Sequence, residues 1–129
     1  MSAVQPRFTS SGNISPSRFV AISGDSTAAQ AGAGVRTIGI SQEGQKKPPL
    51  PGETNVYCAE AGDPFEVFGI GQECLLELGG TVTAGDPLKS DANGKGVTAS
   101  GTDLYGAIAK TGGASGEKVV CIVERGIFG

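Results

Sequence analysis

Glycine interrupts this chain 22 times in 129 residues, and the apolar runs between the glycines, aspartates and prolines are about as long as one strand. "RFVAI", "VRTIGIS", "NVYCA", "PFEVFGI", "ECLLEL", "GVTA", "LYGAIA" and "KVVCIVE" are such runs. They are rich in Val, Ile, Phe and Thr and bounded by turn formers, which is a strand signal; each interior glycine would cost a helix about 1 kcal/mol. In "ECLLEL" the alternation puts Cys74, Leu76 and Leu78 on one face and Glu73, Leu75 and Glu77 on the other, as in a half-buried strand. In "KVVCIVE", Val119, Cys121 and Val123 oppose Val120, Ile122 and Glu124, apolar on nearly both sides, as in a central or interface strand. "STAAQAGAG" has room for one helical turn at most. The expected fold is mainly β, a small barrel or sandwich of short strands.

Two of the turns carry the same tetrapeptide, "AGDP". Proline steers the residue before it toward extended backbone, so Asp63 and Asp86 favour β space, and Gly62 and Gly85 supply the tight turn ahead of them. Each copy therefore launches a strand, at Phe65 and at Leu88. A longer internal similarity lies behind this one. The segment from Arg18 through "TIGIS" and "GDPFEV" lies over the segment from Asp86 through "YGAIA" and "GEKVVC", with Gly39 opposite Gly106 and Gly62 opposite Gly116. "KKPPLPGETN" breaks the match, and the reading is two pseudo-repeated β units in one domain.

Composition removes several kinds of function. Histidine is absent, so the commonest general base and metal ligand are both missing. The three cysteines, Cys58, Cys74 and Cys121, are odd in number and far apart in sequence, which indicates neither a zinc site nor a disulfide framework; they read as core residues. A net charge of −3 without a basic cluster beyond Lys46-Lys47 argues against a nucleic-acid surface. There is no apolar leader and no membrane-length apolar run. "ANGKG" lacks the first glycine and the Ser or Thr of a P-loop, and Asn93-Gly94 reads instead as a type I′ hairpin turn. No cofactor or metal is expected.

The hydrophobic fraction of 38% includes much Ala and Val, with five Phe, two Tyr and no Trp. So thin a core suggests that some apolar surface is buried against a partner. Residues 1–16 are Ser, Gly, Pro, Thr and Asn with scattered apolar positions, and read as an extended arm before a single β domain over 17–129. The arm is either a frayed tail or a segment ordered on a neighbouring protein. "KKPPLPGE" satisfies P-x-x-P from Pro48 to Pro51 and reads as a stiff exposed loop.

"TVTAGDPLKSDANGKGV" and "GAIAKTGGASGE", within Arg36 to Gly126, resemble the head decoration, or capsid cement, proteins of tailed phages, with the decoration protein of phage lambda a more distant architectural relative. The resemblance implies a small, non-enzymatic β protein, made in the host cytoplasm and carried on the outer surface of the virion. It would be a homotrimer at local threefold axes, binding the major capsid protein of the expanded head and holding it against internal DNA pressure. Val4, Pro6, Arg7, Phe8 and Ile14 would then lie along a capsid subunit, and Ile127 and Phe128 would meet the domain or a sister subunit. Neither the arm nor the "KKPPLPGETN" insertion matches the family pattern. Two other classes remain open: a virion-displayed adhesion module reading host surface glycans, and a small trimeric β-fold hydrolase with Asp103 and Tyr105 among its polar candidates.

Overall fold

A computed structural model describes residues 7–42, 57–100 and 104–127. It is all β among those residues. Five strands, β1 (Arg7–Ser10), β2 (Phe19–Gly24), β3 (Thr27–Gln30), β4 (Gly39–Ser41) and β5 (Pro64–Phe68), close into a barrel in the order β1-β3-β2-β4-β5. Five more, β6 (Glu73–Glu77), β7 (Pro87–Ser90), β8 (Gly96–Thr98), β9 (Leu104–Ala109) and β10 (Lys118–Ile127), form a second sheet in the order β6-β10-β9-β7-β8.

These are two copies of one topology, and the register shows it residue by residue. Val20 opposes Gln30 as Leu88 opposes Thr98, and Phe19 opposes Ile40 as Pro87 opposes Ile108. Arg7 opposes Glu66 as Leu75 opposes Val120. Loop hydrogen bonds repeat as well: Ser10 N donates to Asp63 O as Leu78 N does to Glu117 O, both at 2.8 Å. The offset between copies is 68 positions up to β4 (41 to 109) and 54 from β5 on (67 to 121). The difference of 14 equals the span 43–56, which contains the "KKPPLPGETN" insertion recognised in the sequence. Gln42 and Tyr57 thus correspond to Lys110 and Thr111, which are adjacent in the chain. We expect deletion of residues 43–56, joining Gln42 to Tyr57, to leave the β circular dichroism and cooperative melting intact. Loop closure changes by only about 1 kcal/mol or less, so loss of the melting transition would contradict the equivalence. The same register corrects one detail of the sequence alignment, because the counterpart of Gly39 is Ala107 and not Gly106.

Turn chemistry accounts for the shared connections. Gly62 and Gly85 have φ of +89° and +92°, the left-handed third position of a type II turn. Asp63 N donates to Glu60 O at 2.9 Å while Asp63 Oδ2 accepts from Glu60 N at 2.9 Å, and Asp86 repeats both bonds with Thr83. "ASGE" makes the same turn with Glu117 in place of Asp. The "DANGKG" hairpin differs from expectation. Only Gly94 has positive φ, and Asp91 Oδ1 accepts from Asn93 N and Lys95 N, so the carboxylate organises a turn with one left-handed residue where type I′ needs two. "STAAQAGAG" contributes β3 rather than a helical turn, while the described part of "NVYCA", Tyr57 to Ala59, contributes a bridge at Ala59 and no strand.

The expected boundary at Ser17 does not hold for the described part of the arm. Arg7–Ser10 is β1, paired in parallel with β3 and antiparallel with β5, so it is the strand that closes the first barrel. Ile14 is fully buried and bridged to Ala59. Composition hides this, since Phe8 and Ile14 are the only large apolar side chains over 7–16 and follow no period.

Two cores result. The interior of the first barrel holds Ile14, Val20, Ala28, Cys58, Ala59, Phe65 and Val67. The second gathers Cys74, Leu76, Leu78, Leu88, Ala107, Val119, Cys121 and Val123, together with Phe19, Ala31 and Ile40 from the first half. Strand β2 therefore sends Val20 into one core and Phe19 into the other.

Candidate interaction surface

The join between the halves is built on backbone. In the first barrel Thr9 N donates to Ser26 O at 3.0 Å, part of the ladder that closes it. The corresponding groups of the second half, Glu77 N and Gly94 O, are bonded instead to Ser17 O and Phe19 N, at 2.9 and 2.8 Å. Ser17–Phe19 is thus wedged where β6 would meet β8, and the parallel pairing of those strands shrinks to a single bridge, Leu78 to Gly96. Arg18, on the wedge, reaches Glu77 at 3.3 Å and Asn93 O at 2.9 Å, and Lys95 approaches Glu77 at 3.4 Å. Gly106 has no room for a side chain there: a Cβ would lie 2.2 Å from Thr37 Oγ1 and 2.9 Å from Phe19 Cε1.

Ser17 occupies the position of Gly85 and, like it, is left-handed, at φ 57°. It is fully buried, and its hydroxyl has no hydrogen-bond partner among the described residues. A left-handed non-glycine residue costs about 1–2 kcal/mol and an unmet buried hydroxyl about 1–3, against which glycine loses about 0.5–1 in chain entropy. Ser17→Gly is therefore expected to stabilise the fold by about 1–4 kcal/mol and to raise Tm by about 3–15 °C in a thermal melt. A lower Tm would mean that the side chain stabilises the wedge.

The row by which the first half meets the second is Phe19, Ile40 and Phe68, paired across three adjacent strands. Its counterpart in the second half is Pro87, Ile108 and Ile122, again paired across three strands. Among the described residues no further β unit is docked on it. Ile108 and Ile122 are half-buried and, with the cross-strand pair Leu75 and Val120, belong to neither core. The outward face of β6, β10, β9 and β7 is therefore an apolar belt, flanked by the exposed ion pair Lys110–Glu73 at 3.0 Å. Ile70, 61% exposed, projects from the β5–β6 turn, which is fastened by Gly71 N to Val123 O at 2.8 Å. The sequence signal for this face was the two-sided apolar pattern of "KVVCIVE", and β10 does lie between β6 and β9.

The other candidate residues are dispersed. Phe8 packs on the first core, and Ile14 lies inside it, where it cannot touch a capsid. Arg7 opposes Glu66 on β1, and Ile127 opposes Leu104 on β10. Tyr105 is half-buried on β9, opposite Gly126. Val4, Pro6, Lys46–Pro51, Asp103 and Phe128 lie outside the described residues. The carboxylates of Asp63, Asp86, Asp91 and Glu117 accept bonds from backbone N–H groups and so organise the turns in which they lie. All three cysteines are reduced and buried. Burial pushes the Cys58 thiol up to about 11, partly offset by a hydrogen bond with Ser41, so it stays protonated near neutrality.

The chain is similar in fold to the N base of the head fiber gp8.5 of bacteriophage phi29. The TM-score is 0.58 at 17% identity, covering 94% of this chain and 93% of that one. Both halves are needed to reach that coverage. At this identity the likeness is one of fold. No protein-family model and no curated protein matches the chain.

Proposed function

We propose that the chain is a structural protein of a tailed-phage head, bound as a trimer to the outer surface of the expanded capsid, where it stabilises the shell by binding alone. The observation that carries this reading is the full-length likeness in fold to a phage head fiber base. The resemblance of "TVTAGDPLKSDANGKGV" and "GAIAKTGGASGE" to capsid cement proteins points the same way.

The belt of Leu75, Ile108, Val120 and Ile122 is the surface we assign to the contact, since Ile40 and Phe68, the first-half counterparts of Ile108 and Ile122, are already used to dock a β unit. Trimerisation makes later contacts effectively intramolecular, with avidity gains of about 10²–10⁴. Selective binding to expanded heads stabilises that lattice by mass action.

The test is co-sedimentation of purified protein with undecorated expanded heads and with unexpanded procapsids. The expected result is saturable binding near one copy per capsid subunit on expanded heads only. Ile122→Asp, on the half-buried outward face, is expected to melt within a few degrees of the parent and to lose at least tenfold in capsid affinity. Absence of binding to either particle would sink the reading. Unchanged binding by a folded Ile122→Asp would move the contact elsewhere on the surface.

A further inference from the structure

Cys74 and Cys121 are far apart in sequence and directly opposed in the structure, partners in the β6–β10 ladder. Both side chains point into the second core, with exposures of 5% and 0%. The bonds Val123 N to Gln72 O and Leu78 N to Glu117 O mark every second pair of this ladder, including 74 and 121, as the closely hydrogen-bonded kind. The Cα separation of such a pair is about 5.5 Å, inside the window of disulfides. In a flat sheet the Cβ atoms would be about as far apart, wider than the ~3.8 Å of a relaxed disulfide. Closing the bond therefore draws the two strands together by roughly 1–2 Å, a strain that leaves the disulfide more reducible than a relaxed one. Cys74 lies one residue from the exposed Glu73 on the strand at the edge of the second sheet, so local opening of that edge admits an oxidant.

We propose that Cys74 and Cys121 form a cross-strand disulfide when the protein meets a small-molecule disulfide oxidant. A thiolate of one cysteine attacks the oxidant, giving a mixed disulfide and releasing one reduced thiol. The second cysteine then displaces the other half of the oxidant, so that two protein thiols lose two electrons and two protons and the oxidant leaves as two thiols. The bond ties β6 to β10 and so reinforces the half that Ser17–Phe19 keeps from closing as a barrel. Its biological setting rests on the virion reading, in which a protein made in a reducing cytoplasm later persists in an oxidising medium. Cys58, inside the first core, takes no part.

The chemistry is tested on the isolated full chain, independently of any capsid. Protein held in oxidised glutathione at pH 8 is denatured, alkylated with N-ethylmaleimide and examined by intact mass and peptide mapping. The expected product has lost two hydrogens, carries one alkylated cysteine at Cys58, and yields a Cys74–Cys121 linked peptide that dithiothreitol cleaves. Its Tm is expected to rise by about 3–10 °C over the reduced form, the lower end reflecting residual strain in the bond. Three alkylatable thiols after prolonged oxidation, a stable glutathione adduct, or a link through Cys58 would each overturn the proposal. Cys58→Ser is expected to leave the linked peptide unchanged. Failure of capsid binding with the disulfide formed would count against the function alone.

Discussion

A chain beginning at Ser17 is expected not to fold. Deleting residues 1–16 removes β1, exposing the edges of β3 and β5 and opening the barrel. It also removes Phe8 and the fully buried Ile14, together with the bonds Ser10 N to Asp63 O, Gly62 N to Ser10 O and Ile14 N to Ala59 O. Truncating one buried Ile to Ala costs about 2–5 kcal/mol, and loss of a whole strand with two large apolar side chains exceeds a typical stability of about 5–15. Circular dichroism and thermal melting of the truncated protein should show no cooperative transition. The milder Ile14→Ala should still fold and lose about 2–5 kcal/mol in urea titration. A truncated chain with a parental melting curve would mean that β1 is an accessory strand and would restore the arm expected from composition.

The second large effect is expected at Phe19. Its ring is fully buried among second-half residues while its strand belongs to the first barrel, and its N–H holds Gly94 O where β6 and β8 would otherwise meet. Phe19→Ala should cost about 3–5 kcal/mol and lower Tm by about 10–20 °C. The location of the damage separates a join from an ordinary core residue. Hydrogen exchange should quicken most in β6, β8 and β10, while β1, β3 and β5 keep their protection. Loss of protection chiefly inside the first barrel would contradict the assignment of Phe19 to the second core.

Much of the architecture is legible in the sequence because its determinants are local. "AGDP" fixes a left-handed glycine, an Asp that closes the turn and a proline that starts the strand, all within four residues, and both strands begin at that proline. The alternation in "ECLLEL" gives the buried face of β6 directly, with Cys74, Leu76 and Leu78 inside. The duplication is visible through the same turn chemistry, although glycine spacing alone misplaces the Gly39 match by one residue. β1 is not legible, since in "RFTS" nothing local separates an edge-closing strand from a loop and its stability comes from β3 and β5. The type I′ reading of Asn93-Gly94 fails for a related reason: the Asp91 side chain supplies bonds that change which residue turns left-handed.

The sequence by itself determined that the chain is mainly β, that its turns fall at Gly-Asp and Gly-Glu positions, and that one unit is used twice, because φ preference and side-chain alternation act over a few residues. Only the tertiary structure decided that the first copy closes and the second does not. Ser17–Phe19 takes the bonds β8 would make with β6, so that one apolar row is buried between the halves and its twin is left on the surface. Those outcomes depend on partners tens of residues apart, such as Phe19 with Gly94 and Cys74 with Cys121, and no local preference encodes which of two equivalent partners a backbone group will meet.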